Sequence, residues 1–170
     1  QGHLVRRRAL HEHFHREIES FKPVFDSDSR VLILGSMASV KSLEAGFFYM
    51  HPRNRFWSTL AAITGDPVPE SIEGKREYLL AHRIALMDSI KTCTRKGSLD
   101  ADIRDVVPSD IPAVIAASKI AAVFCNGAKS YEVAKRAYPD IDFIRLPSTS
   151  PANAGAWDKS KWLIVREYLK

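Results

Sequence analysis

Apolar positions along this chain follow two rhythms. In residues 4–21, Leu10, Phe14, Ile18 and Phe21 recur at near-helical spacing, and in 55–64 Phe56, Leu60 and Ile63 do the same. Helices are also predicted over 73–82, 109–118, 128–138 and 159–169; the second of these opens on Ser109-Asp110-Ile111-Pro112, a capping residue ahead of an early proline. Between the helices lie short apolar stretches, continuous at 31–34, 84–87 and 120–125 and interrupted by Asp142 and Arg145 at 141–146. Such runs suit strands buried on both faces. Strands alternating with helices predict an α/β protein: a four-stranded parallel sheet with helices on either side.

Each strand is followed by a polar segment: 35–54, 88–97, 126–127 and 147–153. Loops leaving one end of a parallel sheet converge on one crevice, where open α/β folds hold their ligands. The first of these loops is long for a compact domain, which favours a functional role. With no internal repeat, low-complexity tract or linker, the 170 residues are expected to form a single domain.

Net charge is +5 and the pI about 9.3, a modest bias toward a polyanionic partner. Arg6, Arg7 and Arg8 read as a solvated helix start, and His11, His13 and His15 as surface histidines. Cys93 and Cys125 form no CxxC pair, so neither a tetrahedral zinc site nor an iron–sulfur cluster is expected; reduced thiols in a cytosolic protein are. No apolar run suits a membrane span or a signal peptide, and Gln1-Gly2-His3 reads as a tag remnant.

The densest chemistry lies in residues 46–57, where five aromatics, one histidine and two arginines surround Asn54. Aromatic faces stack on nucleobases and arginines bind phosphates. Phe47, Phe48 and Tyr49 are therefore candidates for a base stack, or else core; Arg53 and Arg55 are candidates for phosphate contacts. Asn54 can hold a water through its carboxamide, or cap the following helix. His51 can donate a proton or a base-edge hydrogen bond, or be an ordinary loop histidine. Gly35, Ser36, Met37, Ala38 and Ser39 offer backbone N–H groups to an anion or carbonyl, or simply turn the chain. The segment Pro147-Ser148-Thr149-Ser150-Pro151-Ala152-Asn153 reads as a stiff, hydroxyl-rich wedge suited to phosphate contacts, or as a polar turn. Asp100, Asp102 and Asp105 are the only close carboxylates that suggest a magnesium-dependent nucleotide hydrolase.

The strings Gly35-Ser36-Met37-Ala38-Ser39-Val40-Lys41-Ser42-Leu43, His51-Pro52-Arg53-Asn54-Arg55-Phe56-Trp57, Lys96-Gly97-Ser98-Leu99-Asp100, Asn126-Gly127 and Leu146-Pro147-Ser148-Thr149-Ser150-Pro151-Ala152-Asn153 resemble, in order, motifs of the uracil-DNA glycosylase superfamily. The last string favours its deoxyinosine (hypoxanthine)-DNA glycosylase branch. The resemblance implies a three-layer α/β/α sandwich and hydrolysis of the N-glycosidic bond of a deaminated base, hypoxanthine or uracil, flipped out of DNA for base excision repair. It implies no cofactor and no metal, a DNA partner, a monomer, and a bacterial or archaeal cytosolic location with the nucleoid.

The chain departs from the usual GxxPG first motif, where Ser36 and Met37 replace the water-activating residue and Ala38 the proline. Leu146 stands where the uracil-specific branch has histidine. The resemblance then assigns catalysis to Asn54, with His51 as second candidate. It assigns base contacts to residues 35–39, Phe47, Phe48, Tyr49 and Asn126, and DNA contacts to Arg53, Arg55, Ser148, Thr149, Ser150, Pro151 and Asn153. A damage-binding module without turnover is the alternative.

Overall fold

A computed structural model describes residues 17–170. Four strands, β2 (Val31–Gly35), β3 (Ile84–Asp88), β6 (Ala122–Asn126) and β7 (Phe143–Leu146), form a wholly parallel sheet in the order β3-β2-β6-β7. The four apolar runs are these strands, with β6 and β7 each starting two residues later than the sequence suggested.

Successive side chains of a strand point to opposite faces, and both faces are covered. Val31, Ile33, Ile84, Leu86 and Phe124 share one core with Phe56, Leu60, Leu79, Trp162 and Val165. These come from α2 (Phe56–Thr64), α3 (Ile72–Ala81), α6 (Lys159–Trp162) and α7 (Val165–Tyr168). Leu32, Leu34, Ala85, Met87, Val123 and Cys125 share the other with Ile111, Val114 and Ala134, from α4 (Ile111–Ala116) and α5 (Ala128–Ala137). The result is the expected α/β/α sandwich. Both cysteines are free and buried.

Three features differ from the sequence reading. The helix expected over 4–21 lies outside the described residues up to position 16, and Glu17–Glu19 is instead strand β1. The polar segment expected over 88–97 contains strand β4 (Ile90–Thr94), which a loop with a 3-10 turn at Asp100–Asp102 joins to β5 (Arg104–Pro108); β1, β4 and β5 form a second, antiparallel sheet. Only Ile90 and Cys93 of β4 are buried and all of β5 is exposed, so no continuous apolar run marks them. Within the long first loop, Ser39 caps a short helix, α1 (Val40–Ala45), by accepting from the Ser42 N–H.

Candidate nucleotide-binding cleft

The carboxyl ends of all four parallel strands open on a cleft of about 870 Å³. Gly35 and Asp88, register partners at the tips of β2 and β3, stand in its lining, and Asn126 and Leu146 end β6 and β7 there. The volume falls in the range of small-molecule sites.

The floor is polar and incompletely bonded. Asp88 is only 3% exposed, and its Oδ2 has no hydrogen-bond partner. Burial pushes its carboxyl up to about 7, although the Ala38 N–H and the Arg95 charge pull it back. The Tyr49 hydroxyl is also buried and unbonded, with the Asn126 carboxamide beside it; burial raises its pKa, and the Asp88 charge raises it further. Both tips converge on the α-carbon of Gly35. A Cβ placed there would lie 2.5 Å from Asp88 Oδ1 and 2.7 Å from the Tyr49 oxygen. Glycine at position 35 leaves that space open.

Tyr49 is held in the left-handed region at φ 55°, an uncommon conformation for an aromatic residue. Trp57 Nε1 donates to the Phe48 and Tyr49 carbonyls at 3.2 and 3.1 Å, and the Tyr49 ring stacks on Phe56 with centroids 4.0 Å apart. Arg95, 6% exposed, braces the first loop from behind: its Nη2 donates to the Ala38 carbonyl at 2.5 Å and its Nε to the Gly97 carbonyl at 2.6 Å, while Nη1 is unbonded.

Most residues singled out in the sequence meet at this cleft. Gly35, Ser36, Met37, Ala38, Ser39, Phe48, Tyr49, Asn54, Asn126, Ser148, Thr149, Ser150 and Asn153 all line it. Phe47, His51, Arg53, Arg55 and Pro151 are outside its lining. Phe47 is core, stacked on Trp57 and covered by the Arg76 guanidinium. His51 Nδ1 accepts from the Arg53 N–H. Arg55 ties two loops together: its N–H donates to the Thr149 carbonyl at 3.0 Å, its Nη1 donates to the Ser150 carbonyl at 3.2 Å, and its guanidinium lies over Trp157.

Asn54 bonds the start of a helix and also lines the cleft. Its Oδ1 accepts from the Phe56 N–H at 2.9 Å at the start of α2, and the residue still lines the cleft. A carboxamide oxygen has a second lone pair and the nitrogen two protons, so capping leaves the group able to hold a water. Asn126 is more committed. Its Nδ2 donates to Thr149 Oγ1 and its Oδ1 accepts from the Thr149 N–H, both at 2.9 Å. Asn153 Nδ2 donates to the Ser148 carbonyl, and Ser148 Oγ accepts from the Ser150 N–H, so the 147–153 loop is stiffened from within. Gly127, at φ 95°, lets the chain pass close to Ser148.

Sequence reasoning gave Asp88 no role, although an acid ending the apolar run Ile84–Asp88 was a readable signal. It also missed three cations. Lys129, Arg145 and Lys161 line the β6–β7 side of the cleft, and among the described residues none makes an ion pair. Asp100 lines the cleft but accepts from the Ser36 hydroxyl at 2.8 Å, and among the described residues no carboxylate, cysteine or histidine group is arranged to hold a metal.

A parallel sheet with its cleft at the strand tips, flanked by a pinned aromatic loop and a stiff serine-rich loop, defines a nucleotide-handling class. The chain belongs to the uracil DNA glycosylase superfamily, whose model matches residues 22–168. It is 32% identical over 137 residues to a hypoxanthine DNA glycosylase of Methanosarcina acetivorans, a match covering 78% of this chain and 86% of that protein. A hypoxanthine DNA glycosylase of Methanosarcina barkeri is 34% identical over 88 residues, 51% of this chain and 56% of that protein. The fold also matches the solution NMR structure of a candidate uracil DNA glycosylase from Methanosarcina acetivorans, with TM-score 0.77 and 30% identity, covering 90% of this chain and 98% of that one. Among the described residues no helix is long and apolar enough to cross a membrane.

Proposed function

We propose that this protein is a DNA glycosylase of base excision repair. It flips a deaminated base, hypoxanthine foremost and uracil second, out of DNA and hydrolyses the N-glycosidic bond. The observation that carries the reading is the buried Asp88 carboxyl, its Oδ2 unbonded, beside the Tyr49 hydroxyl at the cleft floor.

Deamination of adenine turns its Watson–Crick edge into a lactam. N1 gains a proton and the amino group becomes a carbonyl. An ionised Asp88 accepts from that N1–H and faces a repelling lone pair on adenine. The N–H groups of Ser36, Met37 and Ser39 supply donors for the carbonyl oxygen. The N3–H and O4 of uracil present the same pattern. A site with fixed polar partners rejects a base that leaves them unpaired, by a far larger factor than shape alone gives.

Cleavage leaves the electron pair of the C1′–N bond on the base and positive charge on the sugar. Backbone donors preset where the departing base gains charge stabilise it, and one such donor is worth about 3 kcal/mol in other enzymes. Asn54 holds the water that attacks C1′, accepting a hydrogen bond from it through its second lone pair, and the proton that the water loses ends on the departing base. Phe48 or Tyr49 carries the stacked base. Lys129, Arg145, Lys161 and the hydroxyls of Ser148 and Ser150 hold phosphates, and the phosphates offset charge on the sugar; Thr149, expected to touch DNA, is buried against Asn126 instead. A lesion costs less to extrude than a sound pair, which adds selectivity. The protein acts as a monomer in the cytosol.

The test is strand cleavage at an alkali-labile abasic site after incubation with deoxyinosine and deoxyuridine oligonucleotides. The wild type is expected to give product and Asn54→Ala to lose at least about a hundredfold, in line with the loss of a water-positioning group. Tight binding by the wild type with no product would overturn the reading in favour of a damage-binding module.

A further inference from the structure

Three carbonyls of the loop after β2 are drawn toward one segment of the chain. The Gly35 carbonyl accepts from the Ser89 N–H at 2.7 Å, the Ser36 carbonyl from the Ile90 N–H at 3.3 Å, and the Ala38 carbonyl from Arg95 Nη2 at 2.5 Å. Ser89, Ile90 and Arg95 all stand outside the cleft lining, whereas residues 35–39 all belong to it. The peptide units here are trans and planar, so a C=O and the N–H that follows it point opposite ways. Drawing those three carbonyls back therefore turns forward the N–H groups of Ser36, Met37 and Ser39, the donors that the proposed reaction uses.

Two of the three anchors are backbone N–H groups that carry on from the pairing of β2 with β3. The third is a side chain, and its setting is unusual. Arg95 is buried, its Nη1 has no partner, and among the described residues it makes no ion pair. A buried charge without an opposite charge bonded to it costs stability. What the guanidinium does with its other nitrogens is grip two loops at once, since Nε donates to the Gly97 carbonyl at 2.6 Å. A rigid planar fork suits that task, and the single ammonium of a lysine does not reproduce it. Ala38 is also pinned from its other end, where its N–H donates to the Asp88 carboxyl. That N–H exists only because position 38 is not proline, the residue of the usual first motif. Hydrogen bonds thus fix the peptide on each side of Ala38.

We propose that Arg95 is a positioning residue for base release: by holding the Ala38 carbonyl from behind, it aims the Ser39 N–H at the carbonyl oxygen of the departing base. The proposal rests on the DNA-glycosylase reading above. Arg95 itself touches neither base nor DNA, and acts through one peptide unit. Its loss therefore removes a preset donor, which matters most when charge develops on the base, and leaves the DNA-contacting surface as it was.

Two variants and three readouts test it. Arg95→Met keeps the stem and removes every donor. Arg95→Lys keeps the positive charge, which also favours the ionised form of Asp88, and removes only the fork. Single-turnover excision of deoxyinosine at saturating enzyme is expected to slow by at least about thirtyfold in Arg95→Met and at least about tenfold in Arg95→Lys. Affinity for a duplex carrying a tetrahydrofuran abasic analogue, which has no base to hold, is expected to stay within about threefold of the wild type in both. In ¹⁵N-labelled protein, free hypoxanthine is expected to move the Ser39 amide proton downfield in the wild type and by less than about a third as much in either variant. Thermal unfolding checks that each variant is folded, and Arg95→Lys carries the test if Arg95→Met is not.

A rate for Arg95→Lys within about threefold of the wild type would show that the grip does not matter, and the positioning role would fall while the activity stands. Equal losses in rate and in abasic-duplex affinity would overturn it too, because they mark general damage to the cleft. If the wild type excises nothing but its Ser39 amide answers hypoxanthine and that of Arg95→Lys does not, the proposed activity fails and the positioning role stands for a base-binding site. A Ser39 amide that hypoxanthine leaves unmoved in the wild type would overturn the positioning role whatever the excision assay gives.

Discussion

Two buried polar clusters stand at neighbouring strand tips, and they are finished differently. Asn126 and Thr149 satisfy each other through two bonds of 2.9 Å and lock the 147–153 loop to the end of β6. Asp88 and Tyr49, at the end of β3 and over β2, leave a carboxylate oxygen and a hydroxyl unbonded. A buried polar group without a partner costs folding stability, typically about 1–3 kcal/mol. The first cluster is therefore a structural tie. The second carries a cost that is repaired when matching polar atoms of a ligand or of water occupy the cleft, and active sites commonly carry such costs. The contrast separates the residues that shape the cleft from those that read its occupant.

The most damaging way to erase the difference is to fill the open cluster from the backbone. Gly35→Ala places a methyl 2.5 Å from Asp88 Oδ1 and 2.7 Å from the Tyr49 oxygen, so both must move. Excision is expected to fall about a thousandfold, with a stability loss of about 1–3 kcal/mol from overpacking. Single-turnover excision and urea unfolding measure the two separately. An active Gly35→Ala protein would mean that this floor is not where the base sits.

Removing the carboxyl alone is gentler. Asp88→Ala takes away the acceptor for the lactam proton, and the expected loss in the specificity constant for deoxyinosine is about a hundredfold, roughly 2.7 kcal/mol. At pH 8 the same variant is expected to unfold at higher urea than the wild type, because a buried charge with no full set of partners has gone. Loss of activity with gain of stability is the signature of a group held for its ligand. A simple structural role would lower both.

The closed cluster should answer in the opposite sense. Thr149→Val keeps the shape, removes the hydroxyl and leaves the buried Asn126 Nδ2 without its acceptor. Stability is expected to fall by about 1–2 kcal/mol. Excision in the surviving folded protein is expected to fall less than tenfold, read from urea unfolding and steady-state rates on one preparation.

How far each cluster was legible in the sequence follows from the same physics. The parallel sheet was readable because strands buried on both faces are written as unbroken apolar runs, as in Val31–Gly35 and Ile84–Asp88. The antiparallel sheet was not, because β5 exposes every residue and spells no period. The strand-end loops were readable as a site because parallel topology gathers them at one end. Which of their side chains reach the cleft was not readable, because that depends on long-range bonds. Arg55 turns its Nη1 to the Ser150 carbonyl, 95 residues away, and stays outside the cleft lining, where Lys129, Arg145 and Lys161 stand instead. Asp88 passed unnoticed because one aspartate after a strand is common; its meaning comes from burial and from Tyr49 arriving out of another loop.

The smallest effect, and the finest probe of the open cluster, is its pH dependence. Asp88 titrates near 7 in the folded protein because burial disfavours its charge, against about 4 when unfolded. Below about 4 the group is protonated in both states and contributes no slope. Between about 4 and about 7 the unfolded chain gives up the proton while the folded one keeps it, so the folded state binds more protons and stability falls as pH rises, by at most about 1.4 kcal/mol per unit. Above about 7 both states are ionised and the slope from this group vanishes. Asp88→Asn carries no such component, so its stability advantage over the wild type is expected to widen from about pH 4 to about pH 7 and then stay level in urea titrations. Excision should move the other way. Only the ionised carboxyl accepts the lactam proton in place, so the wild-type rate is expected to rise through about pH 7, and that rise to be absent in Asp88→Asn, whose carboxamide oxygen accepts at every pH. A wild-type profile flat across this range, with its stability slope intact, would show that Asp88 is buried for some purpose other than meeting the base.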